Sequence, residues 1–247
     1  MKSSLIHGAL HAVNATLALP DRFIGRPYPG PGPDRSVFDA RLAEAQSTLD
    51  ALRQAVRESG EPIEGDLLHR HHGDFQPARR IFPKALNLHA LAADRRNVLE
   101  IGFNAGISTL IMLLANPELK VTAIDICAHG YTKPCHAVIE QHYPGRVRLV
   151  PGDSLEIMSN LRAHGLEGPY DLLHIDGYHG GIRPTVDSAV ALSMADEGCL
   201  FVLDDTHYWK LRLVFEFLKL QRAISPLVDR RFDQRFHRIG WVERGRL

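Results

Sequence analysis

Three observations predict an α/β fold built on a doubly wound, mostly parallel sheet. Short apolar runs at 97–101, 120–125, 147–150, 170–176 and 199–204 alternate with amphipathic helical stretches. That alternation is the pattern of parallel strands joined by crossover helices. Runs such as Asp171-Leu-Leu-His-Ile and Cys199-Leu-Phe-Val-Leu are apolar at nearly every position, as strands covered on both faces must be. The first run passes directly into a small-residue loop, Gly102-Phe103-Asn104-Ala105-Gly106, that opens a helix.

Near the N-terminus, Ile6, Leu10, Val13 and Leu17 fall on one helical face, although His7, His11 and Asn14 interrupt the apolar run. Proline and glycine crowd the stretch from Pro20 to Asp34, which reads as a loop, with Asp34 or Ser36 placed to cap the next helix. Phe38, Leu42, Ala45, Leu49, Leu52 and Val56 form the stripe of that helix, which ends near Gly60. A polar loop (Glu61–Phe75) and a second helical stretch (Pro77–Ala93) lead into the sheet. We therefore expect an N-terminal helical extension or lid over 1–76 and a sheet-containing α/β domain over 77–247. The chain closes with a helix at Trp209–Arg222 and a strand at Phe236–Val242.

Composition narrows the function. The 247 residues carry 29 Lys+Arg and 29 Asp+Glu, a formal net charge of zero, so nothing argues for nucleic acid or an anionic membrane as partner. Three cysteines, Cys127, Cys135 and Cys199, form neither a disulfide framework nor a zinc site and fit a cytoplasmic setting. No run approaches the roughly 20 apolar residues that cross a bilayer. The stripes of the N-terminal helices suit either core packing or a homo-oligomer. The His69-Arg70-His71-His72 cluster reads as a solvated loop or a lid, and Arg79-Arg80, Lys84 and Arg95-Arg96 as a solvated basic face or a steering patch.

The loop after the first strand is a cofactor cradle. Small residues let a ligand approach the backbone, and the helix start offers unpaired N–H groups. A dinucleotide fingerprint would need glycine at 102, 104 and 107, but 104 is Asn and 107 is Ile. An acidic residue followed by G-x-G-x-G fits better, with Glu100, Gly102, Asn104 and Gly106. Asn tolerates the left-handed backbone that a middle glycine would adopt. Ser108 and Thr109 place hydroxyls in the first helical turn. Asp125 ends the second strand, where a carboxylate can accept both hydroxyls of a ribose. Asp153-Ser154 comes after the third, where it would hold a base or cap the next helix.

This series resembles the class I S-adenosylmethionine (SAM)-dependent methyltransferases over about residues 80–243. The resemblance implies a seven-stranded Rossmann-like sheet with an antiparallel final hairpin. It also implies a SAM pocket lined by Gly102, Phe103, Asn104, Ser108, Asp125, Asp153 and Ser154, with Glu100 and Asp176 beside it. Ala223–Asp233 makes a poor sixth strand by its own sequence.

The fourth strand ends His174-Ile175-Asp176-Gly177-Tyr178-His179 and the fifth Asp204-Asp205-Thr206-His207. In a parallel sheet both ends emerge beside the cofactor loop. Three converging carboxylates repel unless a cation joins them, and Mg²⁺ accepts carboxylates, waters and substrate oxygens. A bound hydroxyl then loses its proton more readily, with an imidazole to take it. The pattern is similar to the metal-dependent O-methyltransferases, both the catechol-type enzymes and those that modify macrolide sugars. That likeness implies Asp176, Asp204 and Asp205 as metal ligands and His179, then His207, as base. The catechol-type enzymes carry Asp-Asn where this chain has Asp204-Asp205. The plainer readings are strand-end caps for the aspartates and ordinary pocket positions for the histidines. Tyr178, Tyr208 and Trp209 are candidate aromatic walls for an acceptor, and Trp209 alternatively packs in the core. The leading expectation is methyl transfer to a hydroxyl of a small molecule such as a natural-product sugar or aromatic. A metal-independent N- or O-methyltransferase, an NAD-dependent oxidoreductase and a non-enzymatic SAM-binding partner stand beside it.

Overall fold

The computed structural model describes residues 25–63, 82–166 and 168–243. The helix read around Ile6–Leu17, the His69–His72 cluster and Arg79-Arg80 lie outside the described residues. Seven strands form one sheet in the order β3-β2-β1-β4-β5-β7-β6. They are β1 (Asn97–Ile101), β2 (Lys120–Asp125), β3 (Val147–Pro151), β4 (Tyr170–Ile175), β5 (Ala195–Leu203), β6 (Ile224–Pro226) and β7 (Arg238–Val242). The first five run parallel, and β7 is antiparallel to both of its neighbours. The doubly wound, mostly parallel seven-stranded sheet is therefore present, with helices before it.

Two strands depart from the sequence pattern. β5 starts at Ala195, four residues before the apolar run, because Ala195 pairs with Tyr170; Asp196-Glu197-Gly198 then form an unpaired irregularity, with Gly198 at φ 71°, before the ladder resumes at Leu200. β6 is three residues long and ends in Pro226, which has no N–H for a ladder and suits an edge. Ile224 and Ser225 are nevertheless buried, and Arg26 donates its N–H to the Pro226 carbonyl at 2.9 Å. The N-terminal segment thus covers the edge that the sequence made look weakest.

The helices are α1 (Arg35–Glu44), α2 (Gln46–Ser59), α3 (Phe82–Ala92), α4 (Ile107–Ala115), α5 (Thr132–His142), α6 (Ser154–Ser159), α7 (Arg183–Ser193) and α8 (Trp209–Leu220). The single stripe from Phe38 to Val56 is split, because the chain leaves helical geometry at Ala45 (φ −92°, ψ 13°). Asp34 caps α1 by accepting from the Ser36 and Val37 N–H groups, and Gly60, at φ 71°, closes α2.

Successive strand residues point to opposite faces, so each strand feeds two cores. Leu172, Leu200 and Val202 join α1–α5 on one face; Leu173, Phe201 and Leu203 join α6–α8 on the other. Phe38, Leu49, Leu52 and Val56 are buried in the first core together with Tyr28, which packs on Phe232 and Trp241. The described part of the N-terminal extension is thus continuous with the sheet's own core. Trp209 is 61% exposed, so it is not a core residue. No helix among the described residues is long and apolar enough to cross a membrane.

A candidate active site at the carboxyl edge of the parallel strands

The cofactor loop has the geometry that its residues predict. Gly102, Asn104 and Gly106 all take positive φ, at 99°, 53° and 76°. Asn104 serves as the left-handed residue at the place of a middle glycine, and its Oδ1 accepts from the Tyr131 hydroxyl at 2.7 Å. Gly102 is required twice over: a Cβ there would lie 2.2 Å from the Asp176 carbonyl oxygen. Asp125 holds the loop in shape. Its Oδ2 accepts from the Phe103 and Asn104 N–H groups (2.8 and 2.9 Å), and its Oδ1 from Cys127 N–H at 2.7 Å.

In front of this loop lies a cavity of about 950 Å³, large enough for a nucleotide-sized ligand and a small partner. Eight of the nine candidate cofactor residues line it: Gly102, Phe103, Asn104, Ser108, Asp125, Asp153, Ser154 and Asp176. Asp153 does two jobs, since it also caps α6 through Leu155 N–H and pairs with Arg183. Glu100 is the ninth and does not reach the cavity. It is fully buried, accepts from the Thr109 hydroxyl, and lies 3.0 Å from His174 Nδ1. Glu100 and His174 are register partners on β1 and β4, so the motif's acidic residue is consumed inside the sheet. Thr109 is spent in the same contact and offers nothing to a ligand.

His179, His207, Tyr178 and Tyr208 line the same cavity, opposite the loop. His179 Nε2 is 3.6 Å from Asp205 Oδ2 and 4.0 Å from Asp176 Oδ1. His207 Nδ1 is 3.7 Å from Asp205 Oδ1. Glu61, at the end of the described N-terminal segment, reaches the rim, where it accepts from Gly130 N–H and approaches His129.

The three carboxylates assigned to a metal are not equivalent. Asp205 faces the cavity, and Asp176 keeps 28% of its side chain exposed there although protein crowds it closely. Asp204 is 1% exposed and turned inward. The decisive feature is Lys84, which the sequence places on a basic, solvated helix face. It is buried instead, with Nζ 2.7 Å from Asp204 Oδ2 and 3.0 Å from Asp205 Oδ1. Burial opposes the charge on Lys84, yet Asp204, Asp176 and Asp205 together hold it protonated far above its ordinary range. Burial also raises Asp204, but Lys84 and two histidines outweigh it and bring the carboxyl down to about 2. Burial and the Asp204 charge push the Asp176 carboxyl well above the usual carboxylate range. Lys84 and His174 favour the charged form of Asp176 as well, but they do not prevail there.

Imidazole and carboxylate atoms of Asp176, His179 and Asp205 lie within 4.8 Å of one another, as do those of His174, Asp176 and Asp204. Neither set fits a divalent ion well. The second is inside the sheet, and Lys84 contributes positive charge to both. Lys84 Nζ already compensates Asp204 and Asp205, so a divalent ion held by either set would meet a like charge beside its carboxylates.

His174 and His237 complete the buried row, each 4.0 Å from an Asp204 oxygen. Burial lowers His174, but Glu100 reverses this and raises it. His237 goes the other way, pushed down by burial to about 4. Asn87 Nδ2 lies 2.8 Å from its Nε2, so that nitrogen accepts and the proton sits on Nδ1, toward Asp204. A depressed histidine makes a pH prediction. Between pH about 6.5 and about 4 the unfolded chain takes up a proton that folded His237 refuses. Stability held above pH 6.5 is then lost on acidification, by up to roughly 3 kcal/mol from this group. His174 acts in the opposite sense, so the readout is a difference: urea midpoints at pH 7 and pH 5 should converge in His237→Gln relative to the parent.

Comparison with known proteins agrees with this geometry. Residues 99–206 match the family described as "Methyltransferase domain". That match favours the methyltransferase reading over the NAD-dependent one. Similar solved structures include cofactor-bound Rv0187 from MTB, with 19% identity and TM-score 0.60 over 86% of this chain and 98% of that one. An O-methyltransferase from Bacillus cereus in complex with SAH gives 17%, 0.58, 80% and 91% in the same order. TomG from Streptomyces achromogenes, an O-methyltransferase involved in tomaymycin synthesis and solved with SAM, gives 18%, 0.56, 83% and 96%. These likenesses establish the class I methyltransferase fold. A curated relative, a tRNA (guanine-N(7)-)-methyltransferase from Mycolicibacterium gilvum, is 24% identical over 165 residues. The match covers 63% of this chain and 57% of that relative's length.

Lys84, His174, Asn87 and His237 are the residues that sequence reasoning missed. A signal existed for two of them: Lys84 and Asn87 are three apart in the helix Phe82–Ala92, whose one other polar residue is His89, and therefore share a face.

Proposed function

We propose that the chain is a SAM-dependent O-methyltransferase that acts on a hydroxyl of a small molecule, with His179 as general base. The observation that carries this reading is the juxtaposition at Gly102. The Asp176 backbone presses on the cofactor loop, and His179, three residues on, faces the same cavity beside Asp205. When bound, SAM supplies an electrophilic methyl group on a sulfonium. Gly102, Asn104 and the start of α4 offer the backbone a cofactor needs, with Ser108 in position for its carboxylate and Asp125 for its ribose. His179 takes the proton of the acceptor hydroxyl, and Asp205 steadies the resulting imidazolium. Tyr178 and Tyr208 wall the acceptor. The balanced charge of the chain favours a small acceptor over the tRNA named for the Mycolicibacterium gilvum relative.

Calorimetric titration with SAH tests the cofactor half; no binding would sink the reading. Incubation with SAM and a panel of catechols, phenols and hydroxylated sugars, followed by mass spectrometry, tests the acceptor half. His179→Gln should lower the transfer rate about a hundredfold and leave SAH affinity unchanged. Full activity in that variant would pass the role to His207.

A further inference from the structure

The strand-end carboxylates already hold a cation of their own. Lys84 projects from the first turn of α3 to a point between Asp204 and Asp205, and its side chain is only 8% exposed. Asp204 is engaged by protein on both oxygens. Oδ2 meets Lys84 and His174, while Oδ1 accepts from Asp205 N–H at 2.8 Å and faces His237. One helical turn past Lys84, Asn87 holds His237 in place, so a single face of α3 builds both sides of this enclosure. An ammonium has three N–H donors. One is given to Asp205, the ammonium pairs with Asp204 by charge at 2.7 Å, and because Lys84 also lines the cavity, a remaining N–H can be given to an acceptor oxygen. Charge compensation of the carboxylates and attraction for the acceptor oxygen are the two tasks that a divalent ion would perform here.

We propose that the Lys84 ammonium takes the place of a divalent cation at this site, so that methyl transfer proceeds without a metal. The inference rests on the cavity being the methyl-transfer site, which SAH binding in the same samples reports independently.

The test uses EDTA-stripped, desalted, SAH-saturated protein titrated with MnCl₂, free Mn²⁺ being read by electron paramagnetic resonance. The parent protein should show no saturable site tighter than millimolar. Lys84→Met keeps the aliphatic stem and removes the charge; it should gain one site at least tenfold tighter, lost again in Lys84→Met with Asp205→Asn. A tight Mn²⁺ site in the parent that Asp176→Asn abolishes would overturn the proposal. So would a Lys84→Met protein that binds SAH normally yet is as blind to Mn²⁺ as the parent. If Lys84→Met does not fold, Lys84→Gln is titrated instead, with the same two readings. Failure of SAH to bind the parent would strike the methyl-transfer reading, whereas SAH binding together with tight Mn²⁺ binding would strike the Lys84 proposal alone.

Discussion

Gly102→Val should reduce SAH binding below calorimetric detection and lower the melting temperature by roughly 10 °C, a loss of some 3 kcal/mol or more for a chain of this size. Two independent costs combine. At φ 99° a β-branched residue is strained whatever surrounds it. Its Cβ would also fall 2.2 Å from the Asp176 carbonyl oxygen, which is backbone and cannot step aside without moving the end of β4. Gly102 N–H donates to the Ile124 carbonyl at 2.9 Å, and Asp176 N–H to Ile101, so the shift would spread across β2, β1 and β4. Asn104→Gly is the matched control. It restores a glycine at another left-handed position and gives up one hydrogen bond from Tyr131, so SAH affinity should change by no more than about tenfold, the equivalent of ~1.4 kcal/mol. Equal losses in the two variants would mean that loop conformation, rather than the close approach at Gly102, governs the cofactor site.

The contrast between these positions shows what could be read from the chain. Local rules reached the loop: a strand, small residues, a left-handed Asn and a helix start are all contiguous. They also reached β1 and β2 to the residue, because apolar runs between turn residues leave little latitude. Partnerships across the fold were out of reach. Glu100 belongs to a ligand-binding motif by its neighbours in sequence, yet strand pairing sets it against His174, 74 residues away. Lys84 finds Asp205 from 121 residues away and Asn87 finds His237 from 150. Each of these side chains is ordinary in its local sequence; burial, which only the assembled sheet decides, turns them into a charged row beneath the cavity. The same limit made three strand-end aspartates look alike. Alternation along β5 and the turn after it place Asp204 on the α3 face and Asp205 in the cavity, although the two are adjacent.

That division between neighbours is the basis of the second prediction. Asp204→Ala should cost about 3–5 kcal/mol of stability, because it removes the buried carboxylate shared by Lys84, His174 and His237 and leaves Lys84 paired only with the partly exposed Asp205. Asp205→Asn should cost under about 1 kcal/mol. Its side chain is 25% exposed to the cavity, Asn accepts the left-handed backbone that Asp205 adopts at φ 51°, and Lys84 keeps Asp204. Activity should invert the order. Asp205→Asn removes the carboxylate that steadies the imidazolium at His179 and should slow transfer by at least tenfold in a fully folded protein. Asp204→Ala, assayed well below its lowered melting temperature, should bind SAH at close to parental affinity, since Asp204 does not line the cavity. Urea denaturation and SAH calorimetry on the two variants separate the roles. Similar stability losses in both would show that the aspartates act as one unit around Lys84, and the assignment of Asp205 to the chemistry would fall with that result. Loss of stability in Asp204→Ala alone would instead identify the Lys84–Asp204 pair as the scaffold on which the reactive edge of the cavity is built.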